Sequence, residues 1–144
     1  MENSSIVSTD DGLRTYWPMA RAAHVDLHLM TMQRVNLLLM GTDAVVQSAL
    51  RRLRPNLRGP ILTWAPNLPL ELPPPGQSGT LILRDVGRLP PADQLHLLEW
   101  LEQSGGRTQV ISTTASMLLS LVESSEFHDT LYYRLNVACL DLTD

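Results

Sequence analysis

The sequence contains no lysine and only one cysteine. All eleven basic residues among its 144 are arginines. Schiff-base chemistry is therefore excluded, and so is the lysine with which a standard phosphate-binding loop reaches the β- and γ-phosphates. Cys139 stands alone, which excludes an intramolecular disulfide framework and a zinc site built from cysteines.

Long apolar runs and excess positive charge are also missing. No apolar stretch reaches the roughly 18 residues of a membrane span, and the polar N-terminal sequence MENSSIVSTDDGLR does not resemble a secretion signal. The formal net charge of −4 disfavours general binding to a phosphate backbone, which requires a basic face. We therefore expect a cytoplasmic protein that does not enter a membrane and does not bind nucleic acid directly through this domain.

Strand-like and helix-like segments alternate along the chain. With 44% apolar residues, the chain can form one domain with an ordinary core, and we expect a flexible arm at residues 1–14 and a single α/β domain at 15–144. The predicted strands are 35–40, 60–64, 79–85, 108–114 and 136–142, and the predicted helices are 16–34, 43–54, 91–104, 116–123 and 126–134. This alternation predicts an open parallel sheet of about five strands with helices on both faces.

Two of these helices have a clear apolar spacing. The helix at 43–54 is expected to be capped by Thr42 or Asp43 and stopped by Pro55. The helix at 91–104 follows Pro90 and ends at Gly105. The predicted core-facing residues are Val46, Ala49, Leu50 and Leu53 in the first helix, and Leu95, Leu98 and Leu101 in the second.

The turn after the strand at 35–40 is a candidate anion site, because ligands of doubly wound sheets bind at strand ends beside helix N-termini. Residues 41–48 read GTDAVVQS. Against the pattern G-x-x-x-x-G-K-[ST], Gly41 and Ser48 match, but Val46 replaces the second glycine and Gln47 replaces the lysine. Valine resists the positive φ that glycine allows. Two interpretations stay open, a phosphate loop in use and an ordinary capped helix.

The strand at 79–85 ends in Arg84 and Asp85. A nucleotide hydrolase carries an acidic pair there, which holds Mg²⁺ and activates water. A cation in the metal-holding position repels Mg²⁺, so we expect Asp85 to cap a turn or pair with an arginine. His24 and His28 have a metal-binding spacing on a helix but lack an evident third ligand. We therefore predict no metal site and no catalytic residue.

Several segments resemble the central AAA+ ATPase domain of the bacterial sigma-54-dependent transcription activators. Residues 79–90 resemble GTLFLDEIGELP, Gln94 with Leu97 and Leu98 resembles the following Q-x-x-LL, and residues 109–114 resemble RIIAAT. Residues 127–137, FHDTLYYRLNV, resemble FREDLYYRLNV. The resemblance covers residues 79–142, with a weaker fit at 34–64. It implies a P-loop-type sheet with strand order 5-1-4-3-2 and ring assembly around nucleotides at subunit interfaces.

Departures from the family pattern fall on its functional positions. Relative to the family, the phosphate-loop glycine and lysine correspond to Val46 and Gln47, the acidic pair to Arg84 and Asp85, and the sensor asparagine to Ala115. Of the two arginine fingers that act on a neighbouring subunit, His128 replaces the first and Arg134 retains the second. The GAFTGA loop is replaced by the proline-rich stretch 65–78, and the helical lid is absent.

The first functional hypothesis is a catalytically degenerate, sigma-54-activator-like AAA+ domain. It would act as a regulatory module in transcription or signalling by binding protein partners or itself, with Arg134 and His128 at the interface and without a cofactor. Alternatively, Arg134 forms an internal salt bridge with Asp129 or Glu126. The second hypothesis is a weak or non-standard ATPase that binds ATP and Mg²⁺ through Gly41, Gln47, Ser48 and Asp85.

Overall fold

Parallel strands form the centre of the domain. The computed structural model describes residues 19–21 and 34–142. In this part of the chain the strands are β1 (Met19–Arg21), β2 (Leu37–Met40), β3 (Ile61–Trp64), β4 (Gly79–Leu83), β5 (Thr108–Thr114) and β6 (Ala138–Asp141). They form one sheet in the order β1-β6-β2-β5-β4-β3, and every neighbouring pair is parallel.

Five of these strands confirm the predicted P-loop-type order. If β2 is counted as the first strand, the order β6-β2-β5-β4-β3 is the expected 5-1-4-3-2. The sixth strand, β1, pairs with the outer side of β6. The predicted helix at 16–34 is wrong at residues 19–21, because pairing with β6 holds these residues extended. The remainder of that predicted helix and the predicted arm at 1–14 lie outside the described residues.

The helices are α1 (Asp43–Leu53), α2 (Pro91–Ser104), α3 (Leu118–Glu123) and α4 (Asp129–Leu135), and two 3-10 turns lie at Arg54–Asn56 and Val86–Arg88. The predicted apolar face of α1 is confirmed, because Val46, Ala49, Leu50 and Leu53 are all buried. Thr42 is the N-cap, and its hydroxyl accepts from the Val45 N–H. No helix in the described part of the chain is long and apolar enough to cross a bilayer.

The predicted face of α2 is partly wrong. Leu95 is 53% exposed, and Leu98 is half-buried. The buried residues are Gln94, Leu97, Trp100, Leu101 and Ser104. The helix is therefore rotated relative to the leucine pattern, because the Trp100 indole and the Gln94 amide find backbone carbonyls to donate to on the inner side.

Two apolar layers cover the two faces of the sheet. Alternate strand residues face opposite sides, so Leu38, Leu81 and Val110 lie in one layer with α2, α3 and α4. Leu39, Ile82 and Ile111 lie in the other layer with α1. The predicted arrangement with helices on both faces is confirmed.

One buried amide ties three segments of the first layer together. The Gln94 side chain donates to the Leu89 carbonyl at 2.9 Å and to the Glu126 carbonyl at 3.1 Å. Its oxygen accepts from the His128 N–H at 2.8 Å. Because Gln94 is 4% exposed, water does not readily replace these bonds. Gln94 therefore holds the start of α4 against α2.

We predict that Gln94→Leu lowers the free energy of unfolding by about 2–4 kcal/mol, because it leaves buried backbone groups without partners. The control is Gln103→Leu on the exposed side of the same helix, which should change stability by less than about 0.5 kcal/mol. Urea denaturation followed by circular dichroism measures both. Equal effects of the two substitutions would contradict this role of Gln94.

The buried thiol of Cys139 predicts a loss of stability in alkali. Burial, with a smaller contribution from the Asp141 carboxylate, raises the pKa of Cys139 from 9.0 to about 12. The folded protein therefore retains a proton that the unfolded chain releases above pH 9. Between pH 9 and pH 12 this group lowers the free energy of unfolding by up to about 1.4 kcal/mol per pH unit.

Urea titrations from pH 8 to pH 10.5 test this expectation against Cys139→Ala. The variant is less stable at pH 8 because it leaves a cavity, but its stability should fall less steeply above pH 9 than that of the natural chain. Parallel pH profiles would show that the thiol keeps an ordinary pKa.

Candidate functional site

A cleft opens at the carboxyl ends of β2, β4 and β5. The cavity has a volume of about 340 Å³. Its walls come from the ends of these strands, the start of α1, and the loop that follows β3. The lining residues are Gly41, Asp43, Val46, Ala65, Pro66, Asn67, Arg84, Asp85, Arg88, Thr113 and Ala115. Of the predicted site residues, Gly41 and Asp85 lie in this lining, together with Val46, Arg84 and Ala115, which replace functional residues of the family pattern.

The connection between β2 and α1 is only two residues long. The Gly41 N–H donates to the Thr114 carbonyl at 3.0 Å, which binds the turn to β5. Thr42 is extended, and the helix begins at Asp43. Val46 is buried in the core beneath the helix. Of the two interpretations of residues 41–48, the structure has the capped helix, and Asp43–Gln47 are helical instead of forming a loop.

Arg84 reaches from the end of β4 across the first turns of α1. Its guanidinium lies 3.1 Å from Asp43 Oδ1. With the Gln47 amide oriented so that its oxygen faces the guanidinium, Arg84 Nε donates to it at 2.8 Å, and the terminal nitrogens are also in contact. The positive charge of Arg84 is therefore held by an acidic and a neutral side chain of α1.

Asp85 has an unusual backbone conformation. Its φ of 51° and ψ of 56° are left-handed, which costs a non-glycine residue about 1 kcal/mol or more. Its N–H donates to Thr113 Oγ1 at 2.9 Å, so β5 holds the strained position. Asp85 occupies the predicted capping position, as the N-cap of the 3-10 turn at Val86–Arg88, but its side chain makes no capping hydrogen bond there. The nearby ion pair joins Arg84 to Asp43 and not to Asp85.

The other two predicted nucleotide-site residues lie outside the cleft lining. Gln47 acts on the cleft through Arg84, as described above. Ser48 is exposed on α1 and does not line the cavity. Sequence reasoning missed Arg88 and Asn67, which do line it. Asn67 lies in the loop after β3 with a φ of 76°, a conformation that asparagine tolerates better than most residues. In the sequence, an asparagine within the proline-rich stretch is consistent with such a turn.

Arg134 and His128 lie at opposite ends of α4, and neither lines the cleft. His128 is the N-cap, with Nδ1 accepting from the Thr130 N–H at 3.2 Å. The Arg134 guanidinium lies 3.6 Å from a Glu102 carboxylate oxygen. The predicted internal salt bridge therefore exists, but its partner is Glu102 on α2 instead of Asp129 or Glu126. Both side chains of this pair are about half exposed.

Metal ligands do not converge in residues 34–142. No group of three or more His, Cys, Asp or Glu side chains there is placed to hold an ion. His24 and His28 lie outside the described residues, so their metal-binding spacing is not addressed by the structure. Within the cleft, Asp43 is paired with Arg84, which leaves Asp85 as a single carboxylate beside two arginines.

The fold is that of a P-loop-type AAA+ domain, in which α1 begins at Asp43 and two residues separate it from β2. Residues 55–144 match the model of the family described as the Sigma-54 interaction domain. The chain belongs to this family. No curated protein matches the sequence.

Solved structures share the fold at low sequence identity. NtrX from Brucella abortus in complex with ADP has a TM-score of 0.65 and 20% identity, and NtrX in complex with ATP has a TM-score of 0.60 and 19% identity. Each comparison covers 82% of this chain and 34% of NtrX, so this chain spans about a third of NtrX. The P-loop NTPase domain of the sigma-54 transport activator from E. coli has a TM-score of 0.56 and 20% identity, over 76% of this chain and 97% of that one.

We predict a weak coupling between Asp43 and Arg84. Asp43 is 81% exposed and Arg84 is 37% exposed, so water and salt screen the pair. A double-mutant cycle with Asp43→Ala and Arg84→Ala should give a coupling energy below about 1 kcal/mol that declines as salt is raised. A coupling of several kcal/mol, insensitive to salt, would contradict this expectation.

Proposed function

We propose that this Sigma-54 interaction domain has lost nucleotide chemistry and serves as a regulatory protein-interaction module in bacterial transcription or signalling. The module would act in the cytoplasm on protein partners or on a second copy. No cofactor is assigned to it. The proposal concerns this domain and not the larger architecture that NtrX has.

The observation that carries the proposal is the start of α1 at Asp43. A phosphate loop surrounds its ligand with backbone N–H groups from about five residues before the helix. Here the corresponding residues belong to the helix itself, and Val46 is packed in the core. Unwinding this turn would expose Val46 and break helical hydrogen bonds. The residues present therefore do not fit a triphosphate held in the usual manner.

Charge in the cleft supports the same proposal. Arg84 replaces a carboxylate that would hold a divalent cation in an ATPase of this family, and its guanidinium is paired with Asp43. Ala115, which replaces the sensor asparagine, offers the cleft no polar side chain. Each charge-assisted bond to a phosphate that is missing forgoes roughly 1.5–3 kcal/mol, so losing several together would weaken ATP binding by orders of magnitude.

A surface role is proposed for α4. The Arg134–Glu102 pair is half exposed, and pairs of this kind contribute little to stability. Arg134 can therefore exchange Glu102 for a carboxylate on a partner at small cost. His128 and Arg134 are accordingly proposed as interface residues. Arg134 would retain the position of the second arginine finger of the family without acting on a nucleotide.

One observation favours a second candidate, a weak or non-standard ATP-binding and hydrolysing domain. The cleft of about 340 Å³ is lined by both Arg84 and Arg88, and two guanidiniums can bind phosphate groups. This candidate requires Asp85 to activate water. Its hydrolysis would disappear in Asp85→Asn.

Thermal unfolding with and without 1 mM ATP and 5 mM Mg²⁺ separates the two candidates. A ligand with a Kd of about 0.1 mM would stabilise the folded state by about 1.4 kcal/mol, which raises the Tm by roughly 4 °C for a domain of this size. We expect no shift of the Tm for this protein. NtrX from Brucella abortus, crystallised with ATP, provides the positive control.

A nucleotide-dependent Tm shift in this protein would contradict the proposed loss of nucleotide binding. If that shift were removed by Arg88→Ala, and if turnover were removed by Asp85→Asn, the second candidate would replace the first. The variant Arg107→Ala, which alters an exposed arginine outside the cleft lining, controls for a general loss of positive charge.

A further inference from the structure

Arginines gather at the edge of the sheet opposite the cleft. The strands are parallel, so their N-terminal ends share one edge, and α1 returns the chain to that edge after β2. Arg51 and Arg54 lie at the end of α1, Arg58 lies before β3, and Arg107 lies directly before β5. All four are exposed. The hydroxyl of Thr80 donates to the Arg58 carbonyl at 2.8 Å, which fixes the Arg58 backbone beside the start of β4.

The helix dipole of α1 accounts for only some of the arginines at this edge. A cation in the last turn of α1 offsets the partial negative charge of the helix end, and Arg51 lies in that turn. Arg58 and Arg107 lie outside the helices and make no ion pair with any residue between 34 and 142. The guanidinium groups of Arg58 and Arg107 are therefore available to bind an acidic group of a partner.

Strand β3 next to this basic edge has an unpaired side. It ends the sheet on the side away from β1. The Pro60 carbonyl accepts from Thr80 N–H, and the Trp64 carbonyl accepts from Arg84 N–H, so residues 60, 62 and 64 face β4. By the alternation of a parallel ladder, the N–H and C=O groups of Ile61 and Thr63 point outward. No other strand of the described chain covers them.

An apolar groove lies beside the same strand. Its volume is about 310 Å³, and its walls include Leu62 from β3 and Pro60, which precedes that strand, together with Leu72 and Pro73 from the proline-rich segment. Leu62 lies on the α2 side of the sheet, because it alternates with Ile61, which packs on the α1 side. Glu71 also lines the groove, which disfavours a carboxylate there. Apolar contacts are thus available on one side of β3.

We propose that the free edge of β3 binds an extended acidic segment of a partner protein, with its apolar side chains in this groove and its carboxylates against Arg54 and Arg58. Alternate residues of an added strand face opposite sides of the sheet, so a peptide alternating acidic and apolar residues satisfies both sides at once. This inference names the partner surface of the proposed interaction module and rests on that proposal.

The surface favours a peptide over nucleic acid. A phosphate backbone has no apolar side chain to place against Leu62, Leu72 and Pro73 in the groove. The peptide also pairs with outward N–H and C=O groups of Ile61 and Thr63, which a nucleic acid would leave without regular partners. Guanidinium groups bind carboxylates in a two-point geometry, which suits the arginine-only composition.

Fluorescence polarisation with a labelled peptide of sequence (Glu-Val)₄ tests the proposal on the full chain. We expect saturable binding in 50 mM salt that weakens at least tenfold in 500 mM salt. The peptide Glu₄-Val₄ has the same composition without the alternation and should bind at least tenfold more weakly. A single-stranded oligonucleotide of the same charge should not compete.

Two variants locate the site. Arg54→Glu/Arg58→Glu should weaken peptide binding at least tenfold, whereas Arg88→Glu at the cleft should leave it unchanged. Thr63→Pro removes an outward N–H without breaking a bond to β4 and should also weaken binding, with circular dichroism confirming that each variant is folded. If a variant does not fold, hydrogen exchange of the natural chain is measured with and without the peptide instead. The peptide should then protect the amides of Ile61 and Thr63 from exchange.

Absence of binding by the natural chain, equal binding of the two peptides, or effective competition by the oligonucleotide would each overturn the inference. The assay contains no nucleotide, so it is independent of the thermal test with ATP. Peptide binding together with an ATP-dependent Tm shift would refute the loss of nucleotide binding and retain the β3 site. No peptide binding and no Tm shift would refute only the β3 site.

Discussion

The packing of α1 against the sheet constrains what the carboxyl edge can hold. Val46, Ala49, Leu50 and Leu53 attach the helix to β2, and the chain has only Gly41 and Thr42 with which to reach it. A loop that wraps a phosphate needs more residues and a glycine where Val46 is buried. In the function proposed here, the same apolar contacts that stabilise this half of the domain work against nucleotide binding, and Arg84 lies across the first turns of α1.

The two edges of the sheet differ in their electrostatic character. At the carboxyl edge, Arg84 is paired with Asp43, and the exposed Arg88 also lines the cleft. At the opposite edge, Arg58 and Arg107 are exposed and unpaired within residues 34–142. The basic edge therefore offers unpaired guanidinium groups without the carboxylates Asp43 and Asp85 that lie beside the arginines of the cleft.

Much of the fold was predictable from local patterns. The strands at 79–83 and 108–114 have apolar residues at their centres, and α1 has a regular spacing of apolar residues with a threonine cap. The failures have physical causes. The leucine pattern predicted the face of α2 only in part, because Gln94 turns inward to bond three backbone groups and Leu95 is exposed. Residues 19–21 are extended because β6 pairs with them, and that partner lies more than a hundred residues away.

The sequence alone determined the absence of lysine and of cysteine clusters, because these depend on composition. The order of the five central strands and the residues that depart from the family at the cleft followed from the resemblance of its segments to the family. Only the tertiary structure decided that Arg84 bonds to α1, that Arg134 pairs with Glu102, and that arginines from separate segments share one edge. Side-chain partners and collective charge depend on which distant segments become neighbours, and this is set by the packing of the whole chain.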